Sequence, residues 1–333
     1  MSDFIELWDR TPTPLISQET SFQALTWKSY DYEEQFVITC CGCLENGKSL
    51  AVTITDFKPA FFVKIPENKR KSWSARHNKA FHDTIAKKLY NKANQLISVK
   101  PIKAKVLYPF TNQTNYDFVK LSFSTHAAFK SASYIFKKYI NGNILINGKY
   151  DPYETNIDPM LRFCHSKHIN MAGWINVKTF NNTPHFSCCS RNISTHFNNI
   201  EAINDKQATA PFILASFDIE CDSKATRDKH KHIYDPNANI EDKKKLTTIF
   251  PDASKIGDEI KIICTSLWKY GTDKYLKHAI CVSPWGEIPN TGADICQCVK
   301  NEKELLIGWF AFIKKYDPDV MMGWNIYGFD DQY

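Results

Sequence analysis

At 333 residues, the chain is long enough for two domains of about 100–200 residues each, with cores that need no disulfide staples. Its composition, 43% hydrophobic and 23% charged, excludes wholesale disorder, and no apolar run approaches the roughly 20 residues of a membrane-spanning helix. A net charge of +6, with six arginines among 42 basic residues, permits nucleic-acid binding without demanding it.

The first fifty residues carry short β-type runs. Residues 36–44 and Ser49–Thr55 read as the two strands of a hairpin around Glu45-Asn46-Gly47. Residues 61–65 form a strand stopped by Pro66, and Phe81, Ile85, Leu89 and Leu96 recur at helical spacing, which predicts a helix over 75–96. Strands follow at 96–107 and 116–123, with a turn around Thr111-Asn112-Gln113. Ser124 caps a second helix with Phe129, Ser133, Phe136 and Ile140 on one side, and Ile144-Leu145-Ile146 supplies a last strand. The order β-α-β-β-α-β over residues 50–147 is the split pattern of ferredoxin-like and RNA-recognition-like modules. It argues a fold and no activity, and the RNP1 signature of RNA-recognition modules is absent.

Further on, a short helix is expected at 160–163, a strand at Trp174–Val177 and a polar linker at 198–209, which places the main domain boundary after residue 208. The run 211–221 is apolar except for two acids and suits a strand buried on both faces. A long charged loop, 224–245, separates it from strands at 259–268 and 276–282 that meet near Gly271. Asn301, with Glu304 as its reciprocal cap, opens a helix whose Leu306, Trp309, Phe310 and Ile313 share one side. Asp317-Pro318 ends it, and Val320–Met322 returns as a buried strand. Three sequential strands, a helix and a parallel return strand describe a ribonuclease-H-like sheet.

The eleven cysteines are odd in number, and the start Met1-Ser2-Asp3-Phe4-Ile5-Glu6 is neither a secretory nor a transit signal. They read as reduced thiols of an intracellular, unsecreted protein. Cys40-Cys41-Gly42-Cys43, and Cys164-His165 with His168 and Cys188-Cys189, invite a zinc reading, but neither grouping has the Cys-x-x-Cys spacing of a structural site.

The chemistry concentrates in carboxylates. Asp218 and Glu220, two apart on a strand, point the same way. Two such acids are costly to hold together without a cation, and Mg²⁺ or Mn²⁺ takes oxygen ligands of this kind. In Gly323-Trp324-Asn325-Ile326-Tyr327-Gly328-Phe329-Asp330, a strand end turns through glycine into an acid. Asp330 is a third candidate ligand, with a helix N-cap as its structural alternative. Asn325 offers an amide to a phosphate or sugar, and Phe329 reads as a packing residue rather than a stacking platform.

Phe217-Asp218-Ile219-Glu220-Cys221 resembles the first exonuclease motif of the B-family DNA polymerases, and Gly323-Trp324-Asn325-Ile326 with Phe329-Asp330 resembles the second. Between them, Phe250-Pro251, Asp258-Glu259-Ile260-Lys261-Ile262, Glu304-Leu305-Leu306 and Asp317-Pro318-Asp319-Val320 are similar to the intervening pattern. Upstream, Phe57-Lys58-Pro59-Ala60, Tyr153-Glu154-Thr155-Asn156-Ile157, Leu161-Arg162-Phe163 and Trp174 resemble the delta-type branch. Trp324 stands where the family usually has tyrosine. Abundant lysine and scarce arginine suit an AT-rich genome such as that of a large DNA virus.

The resemblance implies a mixed α+β and α/β architecture. A polymerase N-terminal domain would cover 1–208, and an incomplete ribonuclease-H-like 3′–5′ exonuclease domain 209–333. It implies proofreading of single-stranded DNA with two Mg²⁺ or Mn²⁺ ions about 3.5–4 Å apart. Asp218 would bridge both ions, Glu220 would hold one and orient the attacking water, and Asp330 would complete the other's shell. Asn325 and Phe329 would contact DNA. The partners it implies are a DNA 3′ end, the template strand, the palm, fingers and thumb of the remaining polymerase, and a sliding clamp, with no membrane. The setting would be the nucleus or a viral replication compartment. The chain stops at Tyr333, directly after the second motif, so the third motif, a Tyr-x-x-x-Asp, is expected downstream and the isolated chain is expected to be weak or inactive. A catalytically silent nucleic-acid-binding scaffold is the rival reading, and whether the acids face one pocket separates the two.

Overall fold

The computed structural model describes residues 19–106, 112–184, 186–229, 250–283, 292–331 and 333. The chain falls into two compact units, and among these residues the first holds 19–42 and 50–208 and the second 43–49 and 209–333.

In the first unit, β1 (Thr20–Tyr32), β2 (Gln35–Leu44) and β3 (Ser49–Thr55) run consecutively. They join β8 (Trp174–Val177), β9 (Asn181–Asn182), β10 (Arg191–His196) and β11 (Ile200–Ile203) in a sheet ordered β11-β8-β1-β2-β3-β10-β9 among the described residues. β1 is a strand of 13 residues, longer than the short runs expected there. The polar stretch expected as a linker from 198 instead contains β11, whose Ile200 is fully buried, paired with β8.

The second sheet of this unit is ordered β5-β6-β4-β7, from β4 (Ala60–Lys64), β5 (Leu96–Lys105), β6 (Asn115–Phe123) and β7 (Pro152–Tyr153), every pairing antiparallel. Helices α1 (Ala75–Leu89) and α2 (His126–Ile135) connect its strands, and α3 (Pro159–Ser166), longer than the helix expected at 160–163, follows β7. Phe61, Val63, Val119, Leu121 and Phe123 alternate toward the helices and pack on Phe81, Ile85, Phe129 and Phe136.

Four expectations shift here. α1 stops at Leu89 because Tyr90 turns to φ 53, and residues 90–95 continue only as a 3₁₀ turn. The cap of α2 is Thr125, whose hydroxyl takes the Ala128 N–H at 3.1 Å, rather than Ser124. Ile144-Leu145-Ile146 is no strand: Gly142 sits at φ 111, the Asn143 side chain accepts the Leu145 N–H, and Ile144 is 87% exposed. The fourth strand is β7, paired with Phe62 and Val63. Residues 107 and 111 of the expected strand and turn lie outside the described residues.

The second unit is built on a sheet ordered β15-β14-β13-β12-β16. Its strands are β12 (Ile213–Asp222), β13 (Glu259–Lys269), β14 (Tyr275–Val282), β15 (Ile295–Val299) and β16 (Val320–Met322). The first three run antiparallel in succession, β15 runs parallel to β14, and β16 runs parallel to β12. A short helix, α4 (Lys224–Lys229), occupies the start of the expected charged loop, whose residues 230–245 lie outside the described set. Helix α5 (Glu302–Tyr316) is capped by Asn301, which accepts the Glu304 N–H at 3.0 Å, and ends at Asp317 in the left-handed region.

The buried residues of α5 are Leu305, Phe312 and Tyr316, while Phe310 is 60% exposed. The expected stripe is therefore rotated by about one residue. Gly308 accounts for it: a Cβ there would lie 2.5 Å from Ile280 Cδ1, so the helix makes its close approach to β14 on the 305–308–312 line.

Candidate functional site

β12 does not have two buried faces. Phe217 and Ile219 are buried, whereas Ser216, Asp218 and Glu220 are exposed. The reason is local: β12 is held by antiparallel β13 along its length and by β16 only at Leu214–Ser216. Pleating therefore sends alternate side chains to the packed side and to the open side. The two sequence-predicted acids share the open side.

Across the ladder, Cys264 stands opposite Asp218 and Ile262 opposite Glu220. The pairing slips between Glu220 and Cys221, where Cys221 faces Ile260, a bulge that bends the strand at the second acid. Burial, then the charges of Asp218 and Glu220, push the Cys264 thiol up. Burial, followed by Asp330, Glu302 and Glu220, pushes Cys221 up to about 12. Both stay protonated near neutrality, so neither competes as a thiolate ligand beside the carboxylates.

Asp330 reaches the same strand from the other direction. Gly323 passes so close to β12 that a Cβ would lie 2.6 Å from the Phe217 carbonyl oxygen. Asn325 then adopts φ 56, a conformation that Asn tolerates better than most residues, and its carbonyl accepts the Gly328 and Phe329 N–H groups. The turn brings the Asp330 carboxylate to the open edge of β12, where Oδ1 accepts the Ile219 N–H at 3.1 Å. It fills the ladder position that a longer β16 would have taken, on the backbone between the two strand acids.

The structure thus joins the three acids to one stretch of β12 but not to one cavity. A cavity of about 490 Å³ is lined by Phe217, Ile219, Glu302, Trp309, Asp330 and Tyr333 among others, on the packed side, without Asp218 or Glu220. Among the described residues, no three His, Cys, Asp or Glu side chains stand as a ready group for one ion. The same holds for both cysteine groupings. The donor chemistry at β12 nevertheless fits a hard cation: two exposed carboxylates on one face, with the neighbouring thiols held protonated.

Phe329 packs in the turn, its ring 4.9 Å from Phe250 and 5.4 Å from Tyr333. Asn325 is exposed, and its side chain lies against Gly328, where a Cβ would be 2.5 Å from Asn325 Oδ1. The close approach of Gly323 and the bulge at Glu220 position the site, and neither was read from the sequence. A glycine after Val320–Met322 was the visible signal for the first; a bulge leaves none.

Residues 150–333 match the family model for the DNA polymerase family B exonuclease domain. The chain is similar to the DNA polymerase of Acanthamoeba polyphaga mimivirus, 28% identical over 95% of this chain and 18% of that protein. It is also similar to the DNA polymerase delta catalytic subunit of Caenorhabditis elegans, 25% identical over 96% of this chain and 29% of that one. In fold it matches the family B DNA polymerase of the hyperthermophilic archaeon Pyrobaculum calidifontis, with a TM-score of 0.59 and 14% identity over 94% of this chain and 31% of that one. The chain therefore spans less than a third of each of these three proteins. With its exonuclease-domain match covering more than half its length, the chain belongs to the family B DNA polymerases.

Proposed function

We propose that the chain is the N-terminal and proofreading portion of a DNA-directed DNA polymerase, one that hydrolyses mispaired nucleotides from single-stranded 3′ ends during replication. The observation that carries this reading is the pair Asp218 and Glu220 on the open side of β12, with Asp330 anchored to the backbone between them; the three acids do not share one cavity, so it is the exonuclease-domain match that favours this reading over a silent scaffold. The strand order supports a ribonuclease-H-like exonuclease domain: three antiparallel strands, a helix, and a strand parallel to the first. The antiparallel order β5-β6-β4-β7 likewise supports a ferredoxin-like module in the N-terminal domain.

Asp218 and Glu220 would hold divalent cations, Mg²⁺ or Mn²⁺, with Asp330 as the third acid of the set. When bound, the cations supply charge that stabilises the attacking and leaving oxygens of an in-line displacement and lower the pKa of a coordinated water. The protein's own part is orientation. The strand backbone fixes the two carboxylates at one spacing, and the Ile219 N–H fixes a third beside them. Glu220, at the bulge, takes the role of orienting the attacking water. The template strand and the rest of the polymerase are the partners this reading implies, and Asn325, at the exposed turn, is its candidate contact to the DNA backbone.

Mn²⁺ titration followed by electron paramagnetic resonance tests the site without relying on turnover. The wild-type chain should bind Mn²⁺, and Asp218→Asn with Glu220→Gln should weaken binding at least about tenfold, the scale of losing about 1.4 kcal/mol. Mg²⁺-dependent digestion of a labelled single strand by a polymerase of the relatives' length should vanish with Asp218→Asn. Equal Mn²⁺ binding by the double variant, together with undiminished digestion, would overturn the assignment.

A further inference from the structure

Helices α1 and α2 cover one face of the four-stranded sheet, and the side chains that alternate to the other face form a basic and aromatic surface. The register places Phe62 of β4 beside Lys120 of β6, Lys120 beside Lys100 of β5, and Lys64 of β4 beside Phe118 of β6. None of these five residues belongs to the core beneath the helices. Residues two apart on a strand share a face, so Tyr116 joins them. The one acid of β4, β5 and β6 is Asp117, which alternates to the helix side and pairs with Arg70. Lys64, Lys100 and Lys120 form no ion pair among the described residues. Lys100 and Lys120 stand directly opposite each other, and like charges in that relation destabilise a sheet. An anion laid between them removes that cost.

At one corner α3 roofs this face. A cleft of about 330 Å³ lies there, lined by Phe57, Lys58, Phe62, Lys120, Arg162 and His165 among others. The Arg162 guanidinium sits 5.4 Å from the centre of the Phe62 ring and is held by Glu154, and Lys58 lies 3.6 Å from Asp56. Both cations are therefore positioned with their charge partly offset, whereas Lys120 on the cleft floor is not offset. Away from the cleft, Lys64 Nζ lies over the Tyr116 ring at 3.9 Å, and Tyr153 of β7 meets Phe118 edge-on at 5.3 Å.

We propose that this face binds the phosphate backbone of a single-stranded nucleic acid. Lys100 and Lys120 hold a phosphate between them, and the cleft beneath α3 takes a neighbouring one. The rings of Tyr116 and Tyr153 give unpaired bases an apolar surface beside the cations, the combination that single strands use. A duplex keeps its bases stacked on each other and cannot lay them on rings. An acidic peptide would satisfy the lysines and leave the rings unused. Without the RNP1 signature, the face follows the backbone and does not read sequence. It uses none of the acids of β12, so it goes beyond the exonuclease reading and stands or falls separately from it.

The test is fluorescence anisotropy of a labelled mixed-sequence oligodeoxynucleotide on the full chain, in EDTA so that nothing is cut. Lys100→Ala with Lys120→Ala should weaken binding and make the log–log salt slope shallower by about 1.4, two single-strand contacts at about 0.7 each. Lys137→Ala with Lys138→Ala, an equal loss of charge at exposed positions just beyond α2, should leave the slope unchanged. Unlabelled DNA and RNA strands of one sequence should both compete, the tighter naming the source, while duplex and inorganic phosphate compete poorly. A strand carrying 5-iodouracil should crosslink to the peptide of Tyr116 or of Tyr153, a readout that also serves if the lysine variants fold poorly. Mn²⁺ binding should be the same in Lys100→Ala with Lys120→Ala as in wild type, so that failure here leaves the metal site standing. The proposal falls if the two lysine pairs change the slope equally, or if duplex or inorganic phosphate competes as well as the single strand. It also falls if every crosslink maps to residues 209–333.

Discussion

The four-stranded sheet of the first unit and the five-stranded sheet of the second use the same alternation for different ends. In the first, the inward residues of β4 and β6 meet a dense aromatic cluster. Phe61 is fully buried, stacks on Phe123 at 5.5 Å and meets Phe129 and Phe136 edge-on. In the second, the inward residues of β12 also pack, but the outward ones are Ser216, Asp218 and Glu220. Acids on an open strand face contribute little to holding the fold, because water solvates them and screens their charge. The comparison teaches that both sheets bury an apolar face, and that β12 divides its residues between a buried apolar face and an open face carrying two acids.

The division predicts a graded set of effects. The largest belongs to Phe61→Ala, which empties a site ringed by three phenylalanines. It should cost about 3–5 kcal/mol by urea denaturation, and a loss below about 1 kcal/mol would mean that the aromatic cluster repacks freely. Next comes Gly323→Ala. Its methyl would meet the Phe217 carbonyl oxygen at 2.6 Å and Ile326 Cγ2 at 2.4 Å, so about 1–3 kcal/mol should be lost to overpacking. Protection of the Ile219 amide from hydrogen exchange should fall with it, because Asp330 is held in place by this turn. Unchanged Ile219 protection would show that Asp330 does not depend on the Gly323 approach.

A smaller effect comes from acid. His278 is buried and stacks on Phe312 at 4.0 Å, with Nε2 3.3 Å from Gln297 Oε1. Burial lowers its pKa more than the Gln297 contact raises it, so the folded state prefers the neutral ring. The unfolded chain takes up the proton first as pH falls. The stability tied to the neutral ring is therefore present above about pH 6.5 and is lost as pH drops through that value toward the folded pKa. Hydrogen exchange in β13 and β14 should accelerate relative to β4 and β6 between neutrality and mild acid, and His278→Gln should flatten the difference. The smallest stability change belongs to Asp218→Asn, an exposed position where a shift within about 0.5 kcal/mol is expected, alongside loss of Mn²⁺ binding. A large destabilisation would make Asp218 a structural acid and sever the comparison.

Much of this was legible in the residues. The hairpin of β2 and β3, the strand β13, the Asn301 cap with Glu304 and the parallel return strand β16 follow from local patterns and stand in the structure. The misreadings are of one kind. Ile144-Leu145-Ile146 has the composition of a strand but lies in turns set by Gly142 and Asn143. The stripe of α5 was drawn through Phe310, whereas Gly308 lets the helix close on Ile280 along the neighbouring line. The run around Asp218 reads as apolar on both sides, yet one side is open. In each case the residue types are consistent with two arrangements, and the partner across space chooses between them.

The amino-acid order by itself determines that Asp218 and Glu220 point the same way, because side chains two apart on a strand share a face, and that Asp330 follows a glycine turn. Only the tertiary structure decides that Asp330 comes to the backbone of Ile219, 111 positions away in sequence. The physical reason is range. Pleating and capping are set within a few residues, whereas this meeting depends on how β16 lies against β12, which no short stretch of residues encodes.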